Sequence, residues 1–304
     1  MKMIVYAVEV AERPLLERYG KQFGWELTLL AEKPEQNNAA QAEGMDVVNV
    51  LSSTYITPQL LDAYRAGGVK MVVSRTVGVE HIDVAYANAV GIAVGNAPYS
   101  PASVADYAIM MMLMVLRHIK PMLLRYAGQD YTAGYLGREL PNLTVGIVGF
   151  GCRILGWNRT PRADLSDLVE AVELDELLSR SDIVSLHLTA CPETEHFIDV
   201  AAIEKMKDGA VLINTARGPL VNNSALIDAL ESGKLSGAGL DVFDGDRLIY
   251  YRDFKNQLIA QRQMAILNAM PNVLMLPHMA YYTDQAVERY LNGEEDPWLI
   301  GEKV

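Results

Sequence analysis

Residues 143–160 read LTVGIVGFGCRILGWNRT, and this stretch decides the fold of the chain. Residues 144–148 are a short β-branched apolar run followed by glycine, which is typical of a buried parallel strand entering a phosphate-binding turn. A second apolar run, 153–157, is followed by Asn158, Arg159 and Thr160. In a dinucleotide-binding βαβ unit, two such runs are the first and second strands, and a glycine-rich turn and a helix connect them.

The link between these two runs is too short for such a unit. Only residues 149–152 separate them, whereas neighbouring parallel strands usually need a crossover of about a dozen residues or more. The sequence therefore predicts that the unit cannot close as its flanks require. Two explanations stay open: residues are absent from this sequence, or the chain has lost its cofactor-binding turn.

Short apolar runs alternate with amphipathic stretches on both sides of residues 143–160. This alternation over residues 1–100, and again beyond residue 143, predicts α/β architecture with two doubly wound parallel-sheet domains. The boundary falls within NAPYSPASVAD, residues 96–106, where Ser100 can cap a helix and Pro101 suits its first position. The methionine-rich helix that follows is apolar nearly all round, which indicates core packing plus a subunit interface.

The composition excludes several classes of partner. The 304 residues carry a formal net charge of -12, so nothing in the charge favours nucleic acid or an anionic membrane. Two cysteines provide neither a disulfide framework nor a spaced metal set, which suits a reducing compartment. Apolar runs stay well below the ~20 residues that span a bilayer, and the N-terminus is unlike a signal peptide. We expect a soluble cytoplasmic protein with no metal site.

Three chemically active side chains follow three consecutive strands. Arg217, Asp246 and His278 come just after the apolar runs 210–214, 238–242 and 273–276. A doubly wound sheet places its chemistry at the carboxyl ends of such strands. Arginine can hold a carboxylate with two parallel hydrogen bonds, and histidine can exchange protons near neutral pH. A nearby carboxylate would raise the histidine pKa and orient the ring.

This set of groups suits one reaction class. With a nicotinamide cofactor they would perform hydride transfer to a 2-oxo acid: Arg217 holds the acid group, His278 protonates the developing alkoxide, and Asp246 tunes His278. The alternative is that each residue is an ordinary surface loop residue. The backbone near Val77 and Gly78, in the strand-end turn SRTVGVEHID, is a second candidate for holding an anion.

The sequence resembles a known family in two long blocks. INTARGPLVNNSALIDALESGKLSGAGLDVFDGD (213–246) and PNVLMLPHMAYYTDQAV (271–287) look like the D-specific 2-hydroxyacid dehydrogenases. NAPYSPASVADYA and GFGCRILGWNRT bring the chain closest to the D-lactate dehydrogenase branch, which includes the 2-oxo-acid reductases of vancomycin-resistance clusters.

The resemblance implies a domain organisation and site residues. Residues 1–100 with 280–304 would form a flavodoxin-like substrate domain, and residues 101–279 a Rossmann-type cofactor domain through which a homodimer forms. Arg217, Asp246 and His278 would be catalytic. The substrate would be contacted by Val77, Gly78, Tyr99 and Tyr281. The cofactor, NAD or NADP, would be contacted by Gly149, Asn158, Arg159, Thr160, His187, Thr215, Ala216 and Asp241.

Three departures from the family pattern matter. Asp246 replaces the usual glutamate and is one methylene shorter, which puts its contact with His278 in question. Asn158 and Arg159 stand where NAD-specific members carry an aspartate, and an arginine there can meet a 2′-phosphate, so NADP is slightly favoured. The short link at 149–152 lacks roughly 15 residues of turn and helix, and a second shortfall follows Val287.

We therefore expect NAD(P)-dependent reduction of a small, pyruvate-like 2-oxo acid to the D-2-hydroxy acid. The competing hypothesis, from another class, is a dimeric scaffold or binding protein that kept the fold and lost dinucleotide binding.

Overall fold

The protein is described from a computed structural model. The structure describes residues 1–10, 12–51, 54–97, 102–132, 136–148, 155–157, 170–250, 253–255, 257–282 and 298–300. The chain forms two compact units: Met1–Pro101 with Tyr282–Val304, and Ala102–Tyr281.

The described strands and helices alternate along most of the chain. The strands are β1 (Lys2–Val5), β2 (Glu26–Leu29), β3 (Val47–Val50), β4 (Met71–Ser74), β5 (Ala93–Asn96), β6 (Val145–Val148), β7 (Leu155–Trp157), β8 (Glu170–Ala171), β9 (Ile183–Leu186), β10 (Ala210–Asn214), β11 (Leu235–Leu240), β12 (Val273–Met275) and β13 (Trp298–Ile300). The α-helices are α1 (Arg13–Phe23), α2 (Pro58–Ala66), α3 (Val84–Ala89), α4 (Ala102–Leu116), α5 (Ile119–Ala127), α6 (Leu174–Arg180), α7 (Val200–Lys205), α8 (Asn223–Glu231) and α9 (Arg262–Ala269).

The first unit is built on a six-stranded sheet in the order β13-β5-β4-β3-β1-β2. Strands β1 to β5 run parallel, and β13 pairs with β5 in the antiparallel direction. Read from β2 to β5, this is the strand order of the flavodoxin-like fold. The strands are short and rich in valine, and Ile4, Val48 and Val72 have no exposed surface, because helices cover a parallel sheet on both faces.

The second unit is built on a seven-stranded sheet in the order β12-β11-β10-β9-β6-β7-β8, and all of its pairs are parallel. The order reverses beside β6, as it does in a Rossmann-type sheet. All five residues of β10 are buried. The predicted fold class, two α/β domains with doubly wound parallel sheets, is confirmed.

The methionine-rich helix α4 has one buried face and one exposed face in the single chain. Met111 and Val115 pack against Val211 and Ile213 of the sheet. Ile109, Met110 and Leu113 are exposed on the other side. The predicted core packing is thus present, and the subunit interface expected on the exposed face stays a prediction.

Strands β6 and β7 pair in parallel although a short link joins them. Ile147 lies opposite Gly156, and Val148 lies opposite Trp157. The prediction that the short link prevents the two strands of the dinucleotide-binding unit from pairing is thus wrong. The strands have only four and three residues, and six extended residues reach about 20 Å, enough to return along so short a strand. Residues 149–154, which join the two strands, lie outside the described part.

Within the described ranges, no single helix is both long and apolar enough to cross a membrane. Only the pair α4 and α5 would pass together on length and composition, and it is bent by 66°.

Candidate active site

The carboxyl ends of β10, β11 and β12 are joined by backbone hydrogen bonds. The Asp241 amide donates to the Asn214 carbonyl at 2.9 Å, and the His278 amide donates to the Asp241 carbonyl at 2.8 Å. These bonds extend the sheet register past the last paired residues of each strand. As a result, the loops that carry Arg217, Asp246 and His278 leave the same edge of the second unit.

The loop that carries Arg217 is shaped by two short-range constraints. The Asn214 side chain accepts from the Ala216 amide at 3.1 Å and donates to the Arg217 carbonyl at 2.9 Å, so it closes the turn after β10. A Cβ at Gly218 would stand 2.1 Å from the Phe243 carbonyl oxygen. Only glycine allows this close approach, which brings the Arg217 loop against the loop that leads to Asp246.

The Asp241 carboxylate fixes the backbone that follows His278. Its backbone adopts the left-handed conformation, with φ of 56°, which is costly for a residue other than glycine. The two oxygens of Asp241 accept from the amides of Met279 and Ala280, each at 2.9 Å. The Tyr107 hydroxyl of α4 also donates to this carboxylate. Asp241 has no exposed surface, so it fixes the segment after His278 from inside the fold.

The surroundings of His278 disfavour its protonation. Desolvation, together with the positive charges of Arg217 and Arg247, lowers the pKa of His278 well below its usual value. The Tyr281 ring lies edge-on to the imidazole, with the ring centroids 5.7 Å apart. Arg217, His278 and Tyr281 are thus brought together, as the sequence predicts.

The expected partnership between Asp246 and His278 is not formed. Asp246 Oδ2 accepts from the Phe243 amide at 3.2 Å, within a turn in which Gly245 has φ of 98°. The prediction that a carboxylate raises the His278 pKa is wrong. Asp246 is bound to its own turn, and burial, followed by the charges of Arg217 and Arg247, lowers the His278 pKa. Burial raises the pKa of Asp246 itself to about 6.

Described residues at the carboxyl ends of β9 and β10 suit a nicotinamide cofactor. Thr215 Oγ1, directly after β10, is buried and has no hydrogen-bond partner among the described residues. Such an orphaned hydroxyl fits a polar ligand at this strand end. Ala216 is buried beside it. His187, after β9, has Nε2 2.9 Å from Ser185 Oγ, and burial lowers the pKa of His187 to about 4.

Several predicted site residues lie outside the described part of the chain: Tyr99, Gly149, Asn158, Arg159 and Thr160. Within the described ranges, no group of three or more histidine, cysteine, aspartate or glutamate residues is placed to hold a metal ion.

In the first unit, Val77 and Gly78 follow β4 in a loop whose carbonyls are held by side chains. Asn96 Nδ2 donates to the Val77 carbonyl at 2.7 Å, and the Thr76 hydroxyl donates to the Gly78 carbonyl at 2.8 Å. The amides of Val77 and Gly78 donate to no acceptor among the described residues. Two adjacent unpaired amides can bind an anion.

Beside this loop, Arg75 anchors the end of β4 inside the first unit. Its guanidinium donates to Asn49 Oδ1 at 2.6 Å and to the carbonyls of Tyr6 and Ala7, each at 3.0 Å, and its Nε lies 3.5 Å from the Glu12 carboxylate. Arg75 and Glu12 are both 2 % exposed, so the charges are paired inside the protein.

Comparison with known proteins decides the family. A family model described as "D-isomer specific 2-hydroxyacid dehydrogenase, NAD binding domain" matches residues 109–280, more than half of the chain. The chain belongs to this D-2-hydroxyacid dehydrogenase family. The predicted resemblance is therefore confirmed, and residues 109–280 match the NAD-binding domain of this oxidoreductase family.

Individual relatives of this dehydrogenase cover nearly the whole chain. It is 37% identical to a D-specific alpha-keto acid dehydrogenase of Enterococcus faecalis over 302 residues, covering 94% of this chain and 92% of the relative. It is 33% identical to a D-lactate dehydrogenase of Lactiplantibacillus plantarum, covering 96% and 93%. The crystal structure of the Aquifex aeolicus D-lactate dehydrogenase complexed with NAD and lactic acid is similar with a TM-score of 0.85, at 31% identity, covering 95% and 92%.

Sequence reasoning missed two residues that act on the dehydrogenase's candidate site. Arg247 contributes positive charge at both Asp246 and His278. Its position next to Asp246 was the available signal. Tyr107, on a helix distant in sequence, hydrogen-bonds to Asp241, and no local sequence pattern predicts that contact.

Asp246→Asn should remove a pH-dependent loss of stability. A carboxyl whose pKa rises from 3.8 to about 6 on folding stabilises the fold below about pH 4, and this stabilisation is lost as pH rises through 6. We expect the variant to gain of the order of 2 kcal/mol relative to wild type between pH 4 and pH 8, measured by urea unfolding. Asp228→Asn, at an exposed position of α8, is the control and should show no such trend. Parallel pH profiles for Asp246→Asn and wild type would contradict the assignment.

Proposed function

We propose that the chain catalyses NAD(P)-dependent reduction of a small, pyruvate-like 2-oxo acid to the D-2-hydroxy acid in the cytoplasm. One observation carries the proposal: the structure brings an arginine and a histidine to the edge where a parallel sheet binds its ligands. The domain that contains this edge is the proposed cofactor domain, 101–279. Residues 1–100 with 280–304 are the proposed substrate domain.

Arg217 is the proposed carboxylate-binding residue. Its planar guanidinium can bind both oxygens of the acid group, which fixes the orientation of the substrate as well as its affinity. We assign the amides of Val77 and Gly78 to the same carboxylate, since each lacks a protein acceptor in the described ranges. Tyr99 and Tyr281 are the proposed contacts of the 2-substituent.

His278 is the proposed acid/base, and substrate charge would switch it. In the free protein, desolvation and the charge of Arg217 and Arg247 favour a neutral ring. A substrate carboxylate on Arg217 cancels part of that positive charge, so the proton affinity of His278 rises when substrate binds. In the reductive direction, His278 gives its proton to the carbonyl oxygen as C2 becomes tetrahedral. In the reverse direction, it takes the hydroxyl proton.

Asp246 is proposed to act on the site through the negative charge of its carboxylate. With a pKa of about 6 it is largely ionised at neutral pH and partly offsets the two guanidiniums near the ring. It acts from its turn after β11 without the direct contact that a longer carboxylate side chain could make.

The cofactor residues in the described ranges are Thr215, Ala216, His187 and Asp241. When bound, the nicotinamide cofactor supplies or accepts the hydride. Thr215 would offer its orphaned hydroxyl to a polar group of the cofactor, and the buried Ala216 leaves the strand end unobstructed. The carboxylate of Asp241 is engaged by backbone amides, so it would support the cofactor-facing edge by holding His278 in place.

His278→Ala should lower kcat for pyruvate reduction by a factor of at least about 100 while leaving NADH affinity near wild type, because proton transfer is lost and cofactor contacts are not. Steady-state kinetics and NADH titration measure this.

Arg217→Lys is the companion variant. It should mainly raise KM for pyruvate and also lower kcat, since lysine lacks the planar guanidinium that binds two oxygens at once. Normal pyruvate kinetics in either variant would remove that residue from the site.

The non-catalytic scaffold remains the competing function. It is favoured by the short link between β6 and β7, where a dinucleotide-binding unit normally has its phosphate turn and helix. The wild-type protein decides between the two functions. If it binds neither NADH nor NADPH and turns over no 2-oxo acid, the scaffold is correct.

Arg159 is proposed to admit NADPH. A guanidinium at this position can pair with the 2′-phosphate, whereas the family aspartate would repel it. We expect kcat/KM for NADPH at least equal to that for NADH, and we expect Arg159→Ala to reduce the NADPH value alone. Kinetics with both cofactors on both proteins test this. Equal losses with the two cofactors, or no loss, would contradict a 2′-phosphate contact.

The exposed face of α4 and the adjoining α5 is the proposed homodimer interface. Leu113, Leu123, Leu124 and Tyr126 are between 44% and 68% exposed in the single chain, which is unusual for a cluster of large apolar side chains. Leu124→Glu should convert the dimer to a monomer in size-exclusion chromatography with light scattering. Leu258→Glu, which changes an exposed leucine outside these helices, is the matched control. A monomeric wild-type protein would refute the proposal.

A further inference from the structure

A buried chain of hydrogen bonds runs from His81 to the Val77–Gly78 loop of the first unit. His81 Nε2 lies 3.2 Å from Ser74 Oγ, and Ser74 Oγ lies 2.6 Å from Thr76 Oγ1. The Thr76 hydroxyl donates to the Gly78 carbonyl at 2.8 Å. Ser74 and His81 have almost no exposed surface, at 0% and 1%. Three side chains thus connect the interior of the unit to one carbonyl of the loop.

The chemistry of its last member fixes the direction of this chain. A carbonyl oxygen can only accept, so the Thr76 hydroxyl must donate to Gly78. Thr76 Oγ1 then accepts the Ser74 proton. The single hydroxyl hydrogen of Ser74 is used in the bond to Thr76, so Ser74 Oγ can only accept from His81. This requires a hydrogen on Nε2 of the imidazole. The Thr76 amide, 3.3 Å from Ser74 Oγ, donates to the same oxygen.

Side chains hold the two carbonyls of the Val77–Gly78 loop, while its two amides stay available to bind a ligand. The Gly78 carbonyl is held by Thr76, and the Val77 carbonyl by Asn96. The bond from the Thr76 hydroxyl to the Gly78 carbonyl closes a ring that contains the peptide groups joining Thr76 to Val77 and Val77 to Gly78. Because each peptide group is planar, closing this ring restricts the orientation of the Val77 and Gly78 amides. The Val77 carbonyl shares a peptide plane with the Gly78 amide, and both loop amides lack an acceptor in the described ranges.

We propose that His81, Ser74 and Thr76 are positioning residues that preorganise the Val77–Gly78 amides for the substrate carboxylate. This inference rests on the proposed function. Fixed donors bind an anion more tightly than donors that must be ordered on binding, because the entropy is lost on folding and not at binding. The chain acts on the carboxylate that all 2-oxo acids share, so it sets affinity for the class and leaves the choice of 2-substituent to other residues.

Thr76→Val tests the chain at its last link. Valine keeps the β-branched shape and removes the hydroxyl, which frees the Gly78 carbonyl. We expect KM to rise about tenfold, the equivalent of 1.4 kcal/mol, for pyruvate and phenylpyruvate alike. We expect kcat within about threefold of wild type and an unchanged NADH dissociation constant. Thr76→Ser keeps the hydroxyl and should restore KM.

Changes at His81 test the direction of the chain. His81→Gln can place an amide N–H where Nε2–H stands and should keep a nearly normal KM, whereas His81→Met has similar size without a donor and should raise KM. The double variant Thr76→Val/His81→Met should be no worse than Thr76→Val alone, because the two changes break one chain.

The results separate this inference from the proposed function. A wild-type protein that turns over no 2-oxo acid refutes the function, and the inference falls with it. An active wild type whose Thr76→Val or His81→Met variant keeps its KM refutes the inference alone. Additive losses in the double variant, failure of Thr76→Ser to restore KM, or a rise confined to one of the two substrates would also overturn it. Thermal unfolding of each variant identifies any variant that fails to fold.

Discussion

The Asp241 carboxylate holds the candidate site together. It lies at the end of β11, between the strand that delivers Arg217 and the strand that delivers His278. Its amide and carbonyl continue the sheet pairing to both neighbours, and its side chain binds the two amides after His278. A buried carboxylate is costly unless it is well hydrogen-bonded. Here the bonds that satisfy it also support the left-handed backbone of His278.

In this arrangement the charges that act on His278 are positive. Arg217 and Arg247 act on His278, while Asp246 is bound to its own turn. Burial and these two positive charges keep the imidazole neutral. In the first unit, the proposed anion donors are the backbone amides of Val77 and Gly78.

Sequence reasoning succeeded where function depends on strand ends. Arg217 and His278 follow runs of buried residues that any parallel sheet would align, so their convergence could be predicted without knowledge of packing. It failed where function depends on turn geometry: the orientation of Asp246 follows from the positive φ of Gly245 and the Phe243 amide. It also missed β5, which is short and ends in Gly95-Asn96, and the edge strands β8 and β13. The contact of Tyr107 with Asp241 joins residues distant in sequence and leaves no periodic signal.

The contact between Gly218 and the Phe243 carbonyl limits how this site can evolve. The loops that carry Arg217 and Asp246 meet backbone to backbone, with no room for a single carbon atom between them. Neither loop can shift toward the other, so the proposed carboxylate-binding loop and the loop of Asp246 form one rigid piece. Changes in the proposed substrate preference are therefore expected from side chains around that piece, such as Tyr281. Directed evolution of substrate range should begin at those positions and leave both loops intact.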